Sequence, residues 1–418
     1  MKINDIHIRN FKGIETLDLS FNDNFTVLIG ENGAGKSSIL DAISIGLGTF
    51  LMNTGASFGF NGKATRPLLK NEIRKIIVSP DNIEVTDVLL SGTFKHDELD
   101  IEWCREQGKN SKSLSYKYSS DLTRLGKTLT KDLTANVNLP LLAYHSTGRL
   151  WGEIYGKNPS YEKVGSRLDG YYACLDPRSI TEKFIGWFKT YEDSILKFEK
   201  DKSLYIAFTT SITSMVPTWD KIHFNWALGD LVGQLDSGNW QPMNYLSDGY
   251  KGVVCLAADI AYRAIKLNPH LGVNAVIETE GIVLIDEIDM HLHPIWQKRV
   301  VEDLKRTFPK IQFIVTTHSP FIIQSLNSTE IINLEGTEID KNPNSMSIEE
   351  NSLFMGVTDD RSDKFQRKQE LAAEYLSLLK KEPSEELFEK LNQLLIEFSD
   401  DPVFIAKLSI ERISKFGK

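Results

Sequence analysis

Residues 30–38 read GENGAGKSS, from Gly30 to Ser38, and satisfy the pattern G-x-x-x-x-G-K-[ST]. The stretch before it, FTVLI (Phe25 to Ile29), is a short continuous apolar run, as a strand buried on both faces reads. The stretch after it, SSILDAISIGLGTFL, has helical spacing. Strand, glycine turn and helix in that order form an anion site. The glycines let backbone N–H groups wrap a phosphate, and the helix N-terminus adds its partial positive charge. Lys36 would reach the terminal phosphates and Ser37 would offer its hydroxyl to Mg²⁺. At average glycine usage the pattern arises by chance in about one chain per hundred of this length. The residues assigned to this loop are Gly30, Asn32, Gly33, Ala34, Gly35, Lys36, Ser37 and Ser38.

Two distant segments supply what a phosphate loop lacks. GIVLIDEID, Gly281 to Asp289, is an apolar strand ending in acids. Asp286 would hold the Mg²⁺ water shell, and Glu287 would polarise an attacking water as general base. TTHSP, Thr316 to Pro320, follows another apolar strand, IQFIV. Parallel strands that end together would bring His318 near Glu287 and the γ-phosphate. His291 and His293 of HLHP have no third ligand at metal-binding spacing, so they read as shapers of the turn after Asp289. LSDGYKG, Leu246 to Gly252, runs into the apolar stretch VVCLAADIAYRAI and reads as a turn before a helix.

The 418 residues are 41% hydrophobic and 25% charged, an ordinary globular composition with room for up to three modest domains. No run approaches the ~18 to 20 apolar residues of a membrane span. MKINDIHIRNFKGIE lacks the apolar region of a secretory signal. Cys104, Cys174 and Cys255 are too sparse for a disulfide framework, and a cytoplasmic setting is expected. A net charge of −9 argues against a uniformly basic nucleic-acid wrapper, and clusters such as Lys70/Arg74/Lys75 read as solvated faces.

Strands alternating with helices predict an α/β fold with a mixed, parallel-rich sheet. KINDIHIR (2–9) and IETLDL (14–19) read as short strands, 72–120 as antiparallel sheet, and LPLLAYHS (139–146) as a buried strand. ITEKFIGWFKTYEDSILKFEK has helical spacing. The expected division is a head made of residues 1–52 and 223–340, a β/helical lobe inserted at 53–222, and a helical tail at 341–418. In the tail, Ser384 would cap a helix carrying Leu387, Leu391, Leu394 and Phe398, and Asp401-Pro402 would open another.

In order, IRNFKGIETLDLSF, GENGAGKSSILDAI, LSDGYKG, GIVLIDEIDMHLHP and TTHSP resemble the ABC-type ATPases of the SMC, RecF and OLD group. The resemblance implies ATP and Mg²⁺ as cofactors and a head-to-tail homodimer in which each signature loop caps the ATP on the opposite chain. It makes Asp289 the D-loop acid and His318 the switch histidine. It puts Ser247 and Gly249 on the γ-phosphate in trans, and Arg9 near the nucleotide. Asp248 and Tyr250 depart from the usual signature, and the strand expected to carry a Q-loop glutamine ends Tyr144-His145-Ser146. More narrowly, LLAYHSTGRLW (141–151), the LNPHLGV…TEG loop and FSDDPVFIAKL (398–408) resemble the PtuA ATPases of the Septu anti-phage system. That implies a separate HNH nuclease (PtuB-like) as partner, higher homo-oligomers, and nucleic acid met through the complex. The rival reading is an SMC- or RecF-like repair ATPase that binds DNA directly. It predicts a basic groove and steep salt dependence, against which the acidic total and the lack of a heptad run both count. An autonomous OLD-type nuclease would need a metal-binding carboxylate domain, and only 100 largely helical residues follow His318.

Overall fold

The computed structural model describes residues 1–55, 68–79, 82–109, 115, 119–134, 136–147, 165–176, 181–198, 201–336, 341–356, 363–380, 383–396 and 402–417. They fall into two compact units, Met1–Met355 and Gly356–Lys418.

The first unit opens with an antiparallel pair, β1 (Lys2–Phe11) and β2 (Ile14–Ser20), joined by a two-residue turn with Lys12 in the left-handed region. β3 (Phe25–Ile29) is wholly buried and delivers the glycine loop to α1 (Lys36–Leu51). A small hairpin, β4 (Lys75–Ser79) with β5 (Asn82–Val85), precedes a longer one, β6 (Val88–His96) with β7 (Leu99–Gln107). Next come α2 (Ser120–Leu129), β8 (Leu141–His145), and the helices α3 (Thr181–Phe198) and α4 (Ser203–Met215). A three-stranded meander, β9 (Trp219–Asn225), β10 (Asp230–Leu235) and β11 (Trp240–Pro242), leads into the long helix α5 (Asp248–Leu267). A short helix α6 (Ala275–Glu278) precedes β12 (Gly281–Ile285). Then follow α7 (Pro294–Gln297), α8 (Val300–Thr307), β13 (Ile311–Thr316), α9 (Pro320–Ile323), β14 (Ile331–Asn333) and α10 (Ile348–Phe354).

Two sheets organise these pieces. The first is antiparallel, in the order β2-β1-β6-β7. The second is parallel, in the order β14-β3-β13-β12-β8. Strands β3, β12, β13 and β8 show no exposed position, which is why they read as continuous apolar runs rather than alternating ones. Fully burying each such Val, Ile, Leu or Phe contributes about 1.5–3 kcal/mol. α1 packs against strands of both sheets, close enough that a Cβ on Gly46 would lie 2.6 Å from the Trp103 ring. The sheets are also tied by Gln312, fully buried on β13. Its amide accepts from Ile3 N (2.7 Å) and donates to Ile3 O and Asn22 O (both 2.9 Å), offsetting its desolvation.

The architecture is the expected α/β head, but the division of the chain differs. Residues 53–222 do not stand apart as a lobe. β6 completes the sheet that β1 begins, pairing from Lys2↔Lys95 to Arg9↔Leu89, and β8 is the outer strand of the parallel sheet. Both cover backbone edges that would otherwise face water unpaired. The tail also starts later than expected. α10 packs on α9, and Gln324 Nε2 donates to Met346 O (2.9 Å), so residues 341–355 belong to the first unit.

The second unit is three helices, α11 (Asp363–Leu378), α12 (Glu385–Ile396) and α13 (Pro402–Phe416), around Leu371, Tyr375, Leu391 and Leu408. Ser384 Oγ accepts from Leu387 N (3.1 Å), the expected cap, and Leu387, Leu391 and Leu394 are buried. Phe398, Asp401 and the Gly148–Trp151 portion of the β8 segment lie outside the described residues. Among the described residues, no helix is long and apolar enough to cross a membrane.

Candidate active site

The glycine loop adopts the backbone its sequence demands. Gly33 and Gly35 have φ of 93° and 95°, values that side chains strongly disfavour, so the turn needs glycine at both. Gly35 is also the N-cap of α1, with no side-chain cap, which leaves the first N–H groups of that helix open to an anion. Lys36 is 7% exposed, and its ammonium donates to Gly30 O (2.7 Å) and Glu31 O (2.9 Å). Burial lowers its pKa from the ordinary lysine value, while the carboxylates of Asp286, Glu287 and Glu335 push it back up. Glu335 follows β14 and accepts from Glu31 N, pinning the first loop residue to the edge strand.

β12 and β13 run parallel with Ile285 beside Val315, so the acids and TTHSP emerge side by side. Ser37 Oγ donates to Asp286 Oδ1 (3.1 Å) across 249 positions of sequence. Thr316 Oγ1 donates to the same oxygen (2.7 Å) and accepts from Glu287 N (2.8 Å). Glu287 has φ 48°, a left-handed backbone fixed by that bond and by Ile288 N to Thr316 O (3.0 Å). The oxygens of Ser37 and Asp286 are hard donors in the right number for Mg²⁺, which takes one or two protein ligands and completes its shell with phosphate and water. When bound, the ion would neutralise charge developing between the terminal phosphates. Among the described residues, no group of three or more His, Cys, Asp or Glu could hold a metal by itself.

Asp289 accepts from Thr317 Oγ1 and from His318 N (3.4 Å), so it fixes the backbone that presents the exposed His318. Gln297 accepts from Ser319 Oγ (2.6 Å) and donates to Leu292 O (2.9 Å), closing the same loops from behind. His293 caps α7 and His291 sits in the left-handed region, so both shape the turn. Thr316, Thr317 and Gln297 were not singled out from the sequence. The two threonines stand inside the quoted TTHSP, and their signal is hydroxyls at the end of a strand that is apolar but for Gln312.

In LSDGYKG, Ser247 is the N-cap of α5 yet caps none of its N–H groups, and Ser247 and Asp248 are exposed. Gly249 is buried, and a Cβ on it would lie 2.4 Å from His291 O. It serves close approach to the turn after Asp289 in its own chain. Tyr250 stacks edge-on to Trp296 with centroids 4.6 Å apart, which gives that departure from the usual signature a packing reason. Gly249→Ala gains about 1 kcal/mol of helix propensity but must displace backbone. Overpacking of this kind costs about 1–3 kcal/mol, so a net loss of stability in urea unfolding is expected. Arg9, expected near nucleotide, is half-exposed and ion-paired with Asp87.

The profile of the RecF/RecN/SMC N terminal domain matches residues 2–339. The chain belongs to that family. This SMC-type head is 28% identical over 403 positions to a protein named Retron Ec83 probable ATPase from Escherichia coli, covering 79% of this chain and 71% of that one. It is 27% identical to Retron Vc95 probable ATPase from Vibrio cholerae, covering 79% and 73%. It is 28% identical over 338 positions to Septu protein PtuA from Bacillus mycoides, covering 79% of this chain but 40% of that protein. Among solved structures, it is similar to the SMC head domain from Thermotoga maritima, at 15% identity and TM-score 0.43, over 80% of this chain and 94% of that one. The relatives named thus include one Septu protein and two retron proteins called probable ATPases.

Proposed function

We propose that the protein is the ATP-binding and hydrolysing switch subunit of an anti-phage defence complex. The carrying observation is the meeting of Lys36, Ser37, Asp286 and Glu287 in one site from opposite ends of the head. Lys36 and the open N–H groups of α1 bind the phosphates, and Ser37 and Asp286 hold Mg²⁺. Glu287 takes a proton from the attacking water, and His318 faces the γ-phosphate. Names of the relatives support the defence setting, since Septu PtuA and two retron ATPases align over most of this chain.

The second half of the switch is a homodimer. Ser247 and the uncapped start of α5 form an anion site without a phosphate of its own, and the ATP of a second chain would fill it. ATP then binds the closed dimer better than the open chains, the differential affinity a switch requires. An HNH nuclease is the partner this switch would control. The test is sedimentation with ATP, ADP or no nucleotide, alongside co-purification with an HNH protein from the same locus. Association driven by ATP alone supports the reading; association blind to nucleotide overturns it.

Asp248 adjusts this half-site. Its carboxylate favours the helix N-terminus by about 0.3–1 kcal/mol but repels an incoming phosphate by a similar amount. Asp248→Gly is expected to tighten ATP-dependent association about two- to fivefold for each half-site, read as a shift in the sedimentation midpoint. An unchanged midpoint makes the acid incidental.

A further inference from the structure

Of the carboxylates around the Lys36 ammonium, Asp286 and Glu287 serve metal and water in the reading above, and Glu335 serves neither. Its place is nonetheless built. Leu334 N donates to Ile29 O (3.0 Å), which carries the pairing of β14 with β3 one residue further. Asn333 Oδ1 then accepts from Glu335 N (3.0 Å), and Gly336, with φ 75°, turns the chain. The Glu335 carboxylate accepts from Glu31 N, and a Cβ on Gly30 would lie 3.6 Å from its Oε1. Lys36 Nζ donates to Gly30 O (2.7 Å), the opposite side of the same trans peptide unit. One peptide of the phosphate loop therefore sits between the ammonium and the Glu335 carboxylate, which are at most about 8 Å apart.

Holding the loop does not call for a charge. Glu31 is exposed, so water or a neutral acceptor would satisfy its N–H equally well. A carboxylate fixed beside a polyphosphate site instead opposes each negative charge that enters, and more steeply the more charge the ligand bears. Metal-free ATP brings about four negative charges and Mg²⁺-ATP about two, since a bound cation dominates the local field. We propose that Glu335 is a specificity-determining residue that biases the phosphate loop toward nucleotide already neutralised by Mg²⁺. This rests on the ATP-binding reading above. It adds a selection made from the edge strand, apart from the Ser37 and Asp286 that would hold the ion.

The test uses the full chain, dilute, with a fluorescent and non-hydrolysable ATP analogue, so that turnover does not intervene. Glu335→Gln keeps an oxygen that accepts from Glu31 N, so the loop stays pinned and Tm is expected to hold. Affinity is titrated at low ionic strength, with Mg²⁺ and then with EDTA in its place. Opposition scales with ligand charge, so the variant is expected to bind the metal-free analogue about tenfold tighter than the parent does, but the Mg²⁺ form only about threefold tighter. Both gains are expected to shrink in added salt, because Glu335 is exposed. Glu335→Ala, which gives up the pin as well, is expected to show the same ratio between the two conditions. Equal gains with and without Mg²⁺, or no gain, overturn the selection and leave ATP binding intact. A parent that binds the analogue under neither condition overturns the ATP-binding reading, and the selection with it.

Discussion

Lys36→Ala is expected to weaken nucleotide binding by about thirtyfold or more. Lys36 is buried as a residue, and its ammonium stands among the carboxylates of Asp286, Glu287 and Glu335 at the phosphate loop. Without it, the phosphates meet three acids and only the dipole of α1 in their favour. Truncating one partner of a charge pair at a binding site costs about 2–5 kcal/mol, a loss of about thirtyfold or more in Kd. Stability should barely move, because Glu31, Asn32 and Gly33 are exposed and the two carbonyls freed by the substitution can meet water. A fluorescent-nucleotide titration beside a melting curve checks both halves. An unaltered Kd would remove the phosphate-loop assignment.

The second large effect is expected from Glu287→Gln, with the opposite signature. The amide keeps the shape of the side chain but accepts no proton from water, and general bases contribute about 10²–10⁴-fold in rate. The backbone at φ 48° is held by Thr316 through bonds to the N–H groups of 287 and 288, which the substitution does not touch. ATP should therefore bind as before and persist, with turnover lost and the associated form accumulating. Steady-state phosphate release and sedimentation with ATP measure the two consequences. Turnover at or above the parent rate would disprove the general-base role.

The phosphate loop, the acidic strand end and TTHSP were legible because each is a local signal: an apolar run of five or six residues meeting glycine, acid or hydroxyl. The order of the strands was not legible. LLAYH reads as a buried strand, but nothing in those five residues says that it lies beside GIVLI, since parallel pairing is set by crossovers and not by turns. The same limit put β6 in a separate lobe, when its register is with β1, eighty residues earlier. The close approach of Gly249 to the carbonyl of His291 was not legible either, since it is visible only once the turn after Asp289 is folded. The buried ion pair of Asp259 and Arg263 in α5 did carry a signal, an acid and a base at i and i+4 within VVCLAADIAYRAI. Such pairs are common on solvated helix faces, and only burial distinguishes this one.

The sheet order also bears on how the molecule comes into being. β3, near the start of the chain, is flanked by β13 and β14, with Phe25 beside Phe313 and Val27 beside Ile331. At ~5–20 residues per second, a ribosome needs roughly 15–60 s to travel between those strands. For that whole interval β3 lacks the strands that pair with both its edges. Assembly of the nucleotide site is therefore a late event of synthesis. A message cut short before β13 would yield a product that lacks Thr316, Thr317 and His318 and leaves an edge of β3 unpaired.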